Sequence, residues 1–200
     1  RGSLVFDYMG IKQTPRGAAI FRLDLHVRRM LRSCELMGLP IAMDEEALCQ
    51  AIVEVVRANP GGKAIKASAY FASLEVDVVP SDTRVSVAIA VYDPTEDLLA
   101  RLPTRSASRP RAPLRLWLEK QAHQRRDDIV SPQAKVAANY ASSMTAKARA
   151  QEKGFDEILL VDEEDHVAEG PTTNVFMVDG GGELWTPPEK RVLRGVTRQS

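Results

Sequence analysis

In the first half of the chain, the spacing of apolar residues changes twice, from strand-like to helix-like and back. Short β-prone stretches at residues 4–6 and 18–23 flank a turn region at residues 15–17, and this arrangement predicts a hairpin. Alternation of apolar and polar positions returns at residues 65–79 and 83–92. These two segments are predicted to be further strands.

Between the two pairs of strands, apolar positions recur at helical spacing. Asp24 is a plausible N-cap for a first helix that ends near Met37, and Asp44 is a plausible N-cap for a second helix that ends at residues 59–61. The resulting order β-β-α-α-β-β predicts an α+β first domain over residues 1–103.

The second half begins after an irregular stretch at residues 104–113, where prolines interrupt a Ser/Arg-rich segment. We interpret this stretch as an interdomain linker, and residues 114–200 as the start of a second domain. Residues 139–153 are predicted to form one Ala-rich helix. Strands that follow one another as a meander are predicted at residues 114–118, 157–162, 173–178 and 183–186.

Composition and charge exclude several classes of partner. The chain has 200 residues, 44% of them apolar, and its 27 basic residues balance its 27 acidic residues. A globular protein without a strong overall field is expected, which argues against nucleic acid or an anionic membrane as partner. No apolar run approaches the ~18 residues of a membrane span.

Cysteine and histidine contribute little candidate chemistry. Cys34 and Cys49 are the only cysteines and are most simply interpreted as reduced thiols of a cytoplasmic protein. His26, His123 and His166 are far apart and have no metal-ligand spacing, so no metal site is predicted.

Three short segments are the strongest chemical signal. Lys135 lies in residues 134–140 (AKVAANY), Glu169 opens residues 169–176 (EGPTTNVF), and residues 193–198 read LRGVTR. A lone lysine is most often a solvated surface charge, and a carboxylate at a turn is usually solvated too. The neighbours of Lys135 are nevertheless small and apolar.

In their order and spacing, these segments resemble the class IV aminotransferases, which include branched-chain-amino-acid and D-amino-acid transaminases and aminodeoxychorismate lyase. The resemblance implies a fold type IV enzyme that uses pyridoxal 5'-phosphate, with a smaller N-terminal α/β domain and a larger β-rich C-terminal domain. It implies that Lys135 attaches to the cofactor aldehyde and that Tyr140 hydrogen-bonds the ring hydroxyl oxygen. It assigns to Glu169 the task of keeping the ring nitrogen protonated.

The resemblance also implies a phosphate site. A turn that leads into a helix at Val196 and Thr197 offers backbone N–H groups and a hydroxyl, although an ordinary turn fits these residues equally well. The second phosphate ligand would be Arg29, from a His-x-x-Arg motif at residues 26–29. Periodicity places Arg29 roughly opposite the apolar stripe of its helix and predicts an exposed side chain, whereas the resemblance requires it to face a cleft.

Two positions depart from the family pattern. The family usually has Glu after Phe6, where this chain has Asp7. Branched-chain enzymes carry Tyr-Ile-Arg-Pro on a strand of the first domain, and the nearest match begins at Tyr70, a candidate substrate-binding residue, with Ala72 in place of the arginine. A guanidinium suits a distal carboxylate, so glutamate is expected to be a poor amino donor.

The resemblance predicts an aminotransferase that moves an amino group between an amino acid or amine and a 2-oxo acid, as a cytoplasmic homodimer. One alternative is a lyase of the aminodeoxychorismate type; another is a non-catalytic homologue that binds the cofactor. Family members have further chain before Arg1 and after Ser200, so the sequence is expected to be truncated, with some site residues outside it.

Overall fold

The computed structural model describes residues 3–73, 77–98, 113–121 and 128–200. The chain divides into two compact units, Ser3–Ala112 and Pro113–Ser200. Apart from Pro113, the predicted linker at residues 104–113 lies outside the described residues. Each unit is therefore considered separately.

The first unit contains one antiparallel sheet. Its strands are β1 (Val5–Thr14), β2 (Gly17–Ile20), β3 (Ala64–Phe71) and β4 (Val85–Tyr92), in the order β2-β1-β3-β4. The hairpin of β1 and β2 and the order β-β-α-α-β-β are confirmed.

The predicted extent of the third strand, to residue 79, is wrong, because β3 ends at Phe71. Phe71 pairs with Val85, the first residue of β4, so no partner strand continues past that position. Ala72, Ser73 and residues 77–79 are not in a strand, and residues 74–76 lie outside the described residues.

Two helices connect β2 to β3. They are α1 (Leu23–Leu36) and α2 (Glu45–Ala58). The predicted cap of α2 is confirmed, since the Asp44 carboxylate accepts a hydrogen bond from Ala47 N at 2.8 Å. The predicted cap of α1 is wrong: Arg22 occupies that position with φ 48°, and Asp24 lies inside the first turn, where it accepts hydrogen bonds from the Arg22 guanidinium.

The core of the first unit lies between the sheet and these helices. Alternation along β1 buries Val5, Asp7 and Met9 on one side of the strand. The apolar members of this side pack with Val27 and Met30 of α1. A buried carboxylate therefore shares the strand face that builds the hydrophobic core.

The second unit is not the simple meander that the sequence predicted. Strand β5 (Leu116–Glu119) pairs with β6 (Glu157–Leu160) in parallel, and helix α3 (Ala141–Glu152) lies between them in the chain. A parallel pair needs a crossover connection, which a meander lacks. The apolar residues Ala146, Ala150, Ile158 and Leu160 form the core of this unit.

The remaining elements are short. Strands β7 (Met177–Val178) and β8 (Leu184–Trp185) form a small antiparallel pair, and α4 covers Val196–Gln199. The strand predicted at residues 173–178 is thus limited to its last two residues, with one isolated bridge between Glu169 and Asn174. Most of that segment is loop, so its side chains are positioned by hydrogen bonds.

In the described part of the chain, no helix is both long enough and apolar enough to cross a membrane. Cys34 and Cys49 are free thiols. Burial raises the pKa of Cys34 to about 11, and this cysteine belongs to the hydrophobic core.

Candidate active site

Lys135 lies in a loop whose backbone is closed by hydrogen bonds. Ala134 N donates to Ser131 O at 3.1 Å, and Val136 N donates to Ala134 O at 3.0 Å. Ala134 and Val136 are both fully buried, whereas the lysine between them is half-buried. The loop therefore fixes the lysine backbone through its two small neighbours.

A short 3₁₀ turn, Ala137–Tyr140, follows the lysine and leads into α3. Asn139 anchors this turn: its buried side-chain amide donates to Ser131 O at 3.1 Å and to Ala134 O at 3.0 Å. The sequence did not indicate this role, because it predicted Asn139 only as the first residue of a helix. Asn139 ties the turn to the loop that holds Lys135.

The turn brings Lys135 and Tyr140 together. Lys135 Nζ donates a hydrogen bond to Tyr140 Oη at 3.0 Å, and the same nitrogen lies 5.4 Å from the centre of the tyrosine ring. Val136 is extended and is followed by one turn of 3₁₀ helix. This backbone path brings the Tyr140 side chain next to Lys135, five residues earlier. The amine and the phenol can therefore contact the same ligand.

Glu169 is a buried carboxylate, with 2% of the residue exposed. Its backbone carbonyl accepts from Leu160 N at 2.9 Å, which ties it to the end of β6. Its carboxylate accepts hydrogen bonds from Asn174 Nδ2 at 3.1 Å and from Leu193 N at 3.2 Å. These two donors orient the carboxylate.

Asn174 links this carboxylate to the segment that follows Leu193. Its amide also donates to Leu193 O at 3.0 Å, and its Oδ1 would lie 1.8 Å from a β-carbon placed on Gly195. A side chain at position 195 would displace Asn174 from Glu169. Asn174 and Gly195 lie in two of the three sequence motifs, but the sequence analysis assigned no role to Asn174.

The phosphate-binding residues expected from the sequence lie where that segment enters α4. Gly195 is extended, with φ −62° and ψ 133°, and Val196 begins the helix. Val196 is buried and Thr197 is exposed. The first N–H groups of a helix have no acceptor within the helix.

Arg29 lies in the first unit and pairs with Asp7. Arg29 Nε donates to Asp7 Oδ2 and Arg29 Nη2 to Asp7 Oδ1, both at 2.8 Å, and His26 Nδ1 lies 2.7 Å from Asp7 Oδ1. The Arg29 side chain is only 10% exposed, so the exposure predicted from periodicity is wrong. Burial opposes ionisation of Asp7, but hydrogen bonds from His26 and Arg29 hold its pKa below the usual range.

Tyr70 is also in the first unit, on β3. It is half-buried and pairs with Ser86 of β4. Phe71 packs against the core, and Ala72 is exposed directly after the strand. The position at which the family pattern has an arginine is thus occupied by a small, exposed side chain.

One further group of polar residues lies on a turn of the second unit. Asp162, Glu164 and His166 have ligand-type atoms within 4.8 Å of one another. Arg191 donates hydrogen bonds to Asp162 and, at 2.9 Å, to Glu164. These contacts explain the cluster as an ion-pair network.

Comparison with known proteins identifies the family to which the chain belongs. The sequence model described as "Amino-transferase class IV" matches residues 4–200. The chain belongs to the class IV aminotransferase family. The resemblance seen in the sequence is confirmed.

Relatives in the class IV aminotransferase family include two branched-chain enzymes. The chain is 29% identical to the branched-chain-amino-acid aminotransferase of Pseudomonas aeruginosa over 205 residues, which cover all of this chain and 62% of that protein. It is 29% identical to branched-chain-amino-acid transaminase 1 of Bacillus subtilis, covering 56% of that protein. The chain therefore spans about six tenths of the length of these relatives.

Solved structures of the family confirm the predicted fold type IV architecture. The branched-chain aminotransferase of Thermobaculum terrenum in its holo-form with PLP is 27% identical, with a TM-score of 0.83 over 99% of this chain and 62% of that chain. The branched-chain aminotransferase of Thermoproteus uzoniensis with norvaline is 28% identical, with a TM-score of 0.84 over 99% of this chain and 63% of that chain.

Proposed function

We propose that this protein is a pyridoxal-phosphate-dependent aminotransferase of the branched-chain type, which moves an amino group between an amino acid or amine and a 2-oxo acid. The observation that carries the proposal is the 3.0 Å hydrogen bond between Lys135 Nζ and Tyr140 Oη, in a loop held by buried neighbours. Family membership and the names of the relatives support the reaction type.

The residues present fit the cofactor. Lys135 and Tyr140 offer an amine and a phenol side by side, and Glu169 offers a buried, oriented carboxylate for a protonated ring nitrogen. Thr197 and the N–H groups at the start of α4 suit a phosphate. Arg29 is proposed as a phosphate ligand because the family resemblance implies it. When bound, pyridoxal phosphate supplies an aldehyde that an amine can attach to and a ring that withdraws electrons.

Lys135 has two successive tasks in this proposal. Its Nζ would be the atom that holds the cofactor. When it does not hold the cofactor, Nζ would take the proton from the α-carbon of the amino acid and return a proton later in the turnover. Tyr140 Oη keeps Nζ close to that position between the two events.

Glu169 acts through its charge. An ionised carboxylate opposite a ring nitrogen favours the protonated form of that nitrogen, which increases the electron withdrawal of the ring. The hydrogen bonds from Asn174 and Leu193 hold the carboxylate in one orientation. The amide and the backbone N–H therefore support the chemistry without taking part in it.

The expected donor is an apolar amino acid or amine, because Ala72 leaves the position of the family arginine without a cation. A distal carboxylate that is buried without a partner costs several kcal/mol. We also propose that the active protein is a homodimer in the cytoplasm, as the family resemblance implies.

The test is a donor comparison with the intact protein. An apolar amino acid should transaminate a 2-oxo acid with a kcat/KM about tenfold or more above that of glutamate, and Ala72→Arg should narrow this ratio. Release of pyruvate without an amino acceptor would instead favour a lyase. A clear preference of the unaltered protein for glutamate would contradict the assignment of position 72.

A further inference from the structure

Asp7 is a fully buried charge that the reaction does not use directly. Its side chain is 0% exposed, and it lies on the same side of β1 as Val5 and Met9. A carboxylate in an apolar core is tolerated only when it is paired and hydrogen-bonded. Loss of His26 or Arg29 as a hydrogen-bond partner would therefore leave this buried charge at a cost in free energy, which keeps both side chains in place.

Arg29 is bound to Asp7 through two of its nitrogens. Nε contacts Oδ2 and Nη2 contacts Oδ1, each at 2.8 Å, in the bidentate geometry that planar guanidinium and carboxylate groups favour. Two parallel hydrogen bonds fix the plane of the guanidinium as well as its position. Rotation of Arg29 away from β1 would leave the Asp7 charge buried with fewer partners.

The same carboxylate fixes the tautomer of His26. An ionised carboxylate can only accept hydrogen bonds, so the 2.7 Å contact between Nδ1 and Asp7 Oδ1 requires a proton on Nδ1. Arg29 Nη2 lies 3.3 Å from that nitrogen, but both atoms are then donors to the same oxygen. In the neutral ring Nε2 must be the unprotonated nitrogen.

His26 and Arg29 lie one helical turn apart on α1 and face Asp7 together. The histidine side chain is 12% exposed and the arginine side chain 10% exposed, so each reaches the surface only at its edge. One buried carboxylate thus determines the orientation of two cationic or proton-carrying groups.

We propose that Asp7 is a positioning residue for the cofactor phosphate, which orders the guanidinium of Arg29 and presents His26 with Nε2 directed away from the carboxylate. This inference rests on the proposed function, since it assumes that Arg29 binds the phosphate. Preordering removes the entropy loss that a mobile arginine would suffer on binding. Asp7 therefore acts on affinity for the cofactor through its two partners.

The test measures the dissociation constant of pyridoxal 5'-phosphate for the apo-protein by absorbance titration. Asp7→Asn keeps the shape of the side chain but removes its charge, and should raise Kd about tenfold or more. Asp7→Glu keeps the charge and should restore Kd to within about threefold of the unaltered protein. Equal Kd values for Asp7→Asn and the unaltered protein, or equal weakening by both variants, would overturn the proposal.

A matched control lies on the next helix. The carboxylate of Glu45 accepts from Arg28 Nε at 2.9 Å, but both side chains are largely exposed. Glu45→Gln should therefore leave Kd unchanged. If the unaltered protein itself fails to bind the cofactor, the proposed function fails and not this inference.

A second measurement does not depend on the stability of any variant. Nitrogen-15 NMR of the unaltered apo-protein reports which ring nitrogen of neutral His26 carries the proton. The proposal requires protonated Nδ1, and a ring protonated at Nε2 instead would overturn it.

Discussion

The charged candidate site residues of the two units are held by different contacts. In the first unit, Asp7 pairs directly with Arg29, an opposite charge, inside the core. In the second unit, Lys135 donates to the Tyr140 hydroxyl, and Glu169 accepts from the Asn174 amide and a backbone N–H. The ion pair fixes the orientation of a guanidinium, whereas the hydrogen bonds of the second unit fix the positions of an amine and a carboxylate.

This difference corresponds to two proposed tasks, which are binding of the cofactor phosphate and participation in the reaction. A group that anchors a phosphate needs a fixed orientation, which the Asp7 carboxylate supplies to Arg29. A group that exchanges protons needs a fixed position from which it can reach the substrate. We therefore expect substitutions at Asp7 to alter mainly cofactor affinity, and substitutions at Glu169 to alter mainly turnover.

The largest effect that sharpens this comparison is expected for Glu169→Gln. The amide keeps the size of the side chain but cannot hold a ring nitrogen protonated, so kcat should fall about 10- to 100-fold, the range of a hydrogen bond to a charged group. Cofactor retention should change much less. A kcat close to that of the unaltered protein would remove Glu169 as the ring partner and weaken the contrast between the units.

A smaller effect is expected for Gly195→Ala. The backbone at this position suits alanine, but the added β-carbon would displace Asn174, which supports Glu169. Crowding of this kind costs about 1–3 kcal/mol, so both Tm and kcat should decrease.

Gly180→Ala is the matched control for that substitution. Its β-carbon would meet nothing within 4 Å, and the residue lies in the same unit. Tm is measured by calorimetry and kcat from initial rates for both variants. Equal Tm and kcat values in the two variants would show that Asn174 adapts to the added β-carbon without weakening its support of Glu169.

Much of the first unit could be predicted from the sequence, because its patterns are local. The hairpin followed from the turn at residues 15–17, and the cap at Asp44 followed from its position before a helical stripe. The burial of Arg29 could not be predicted in this way. It depends on Asp7, 22 residues earlier, and periodicity within one helix contains no information about a neighbouring strand.

The second unit was harder to predict. The parallel pairing of β5 with β6 joins segments that lie on either side of α3, and apolar alternation does not distinguish parallel from antiparallel neighbours. Lys135, Tyr140 and Glu169 were identified through spacing that resembles a family. Asn139 and Asn174, which hold them, act through contacts with backbone carbonyls that only the folded loops bring into reach.

The most direct test of the central claim is the site of covalent attachment at Lys135. The intact protein would be loaded with pyridoxal 5'-phosphate, reduced with borohydride and mapped by mass spectrometry, with Lys135→Ala and, as a control lysine from the end of α3, Lys153→Ala. The account predicts a single labelled peptide containing Lys135, with label and visible absorbance band lost only in Lys135→Ala. Labelling of a different lysine, or full labelling of Lys135→Ala, would contradict it.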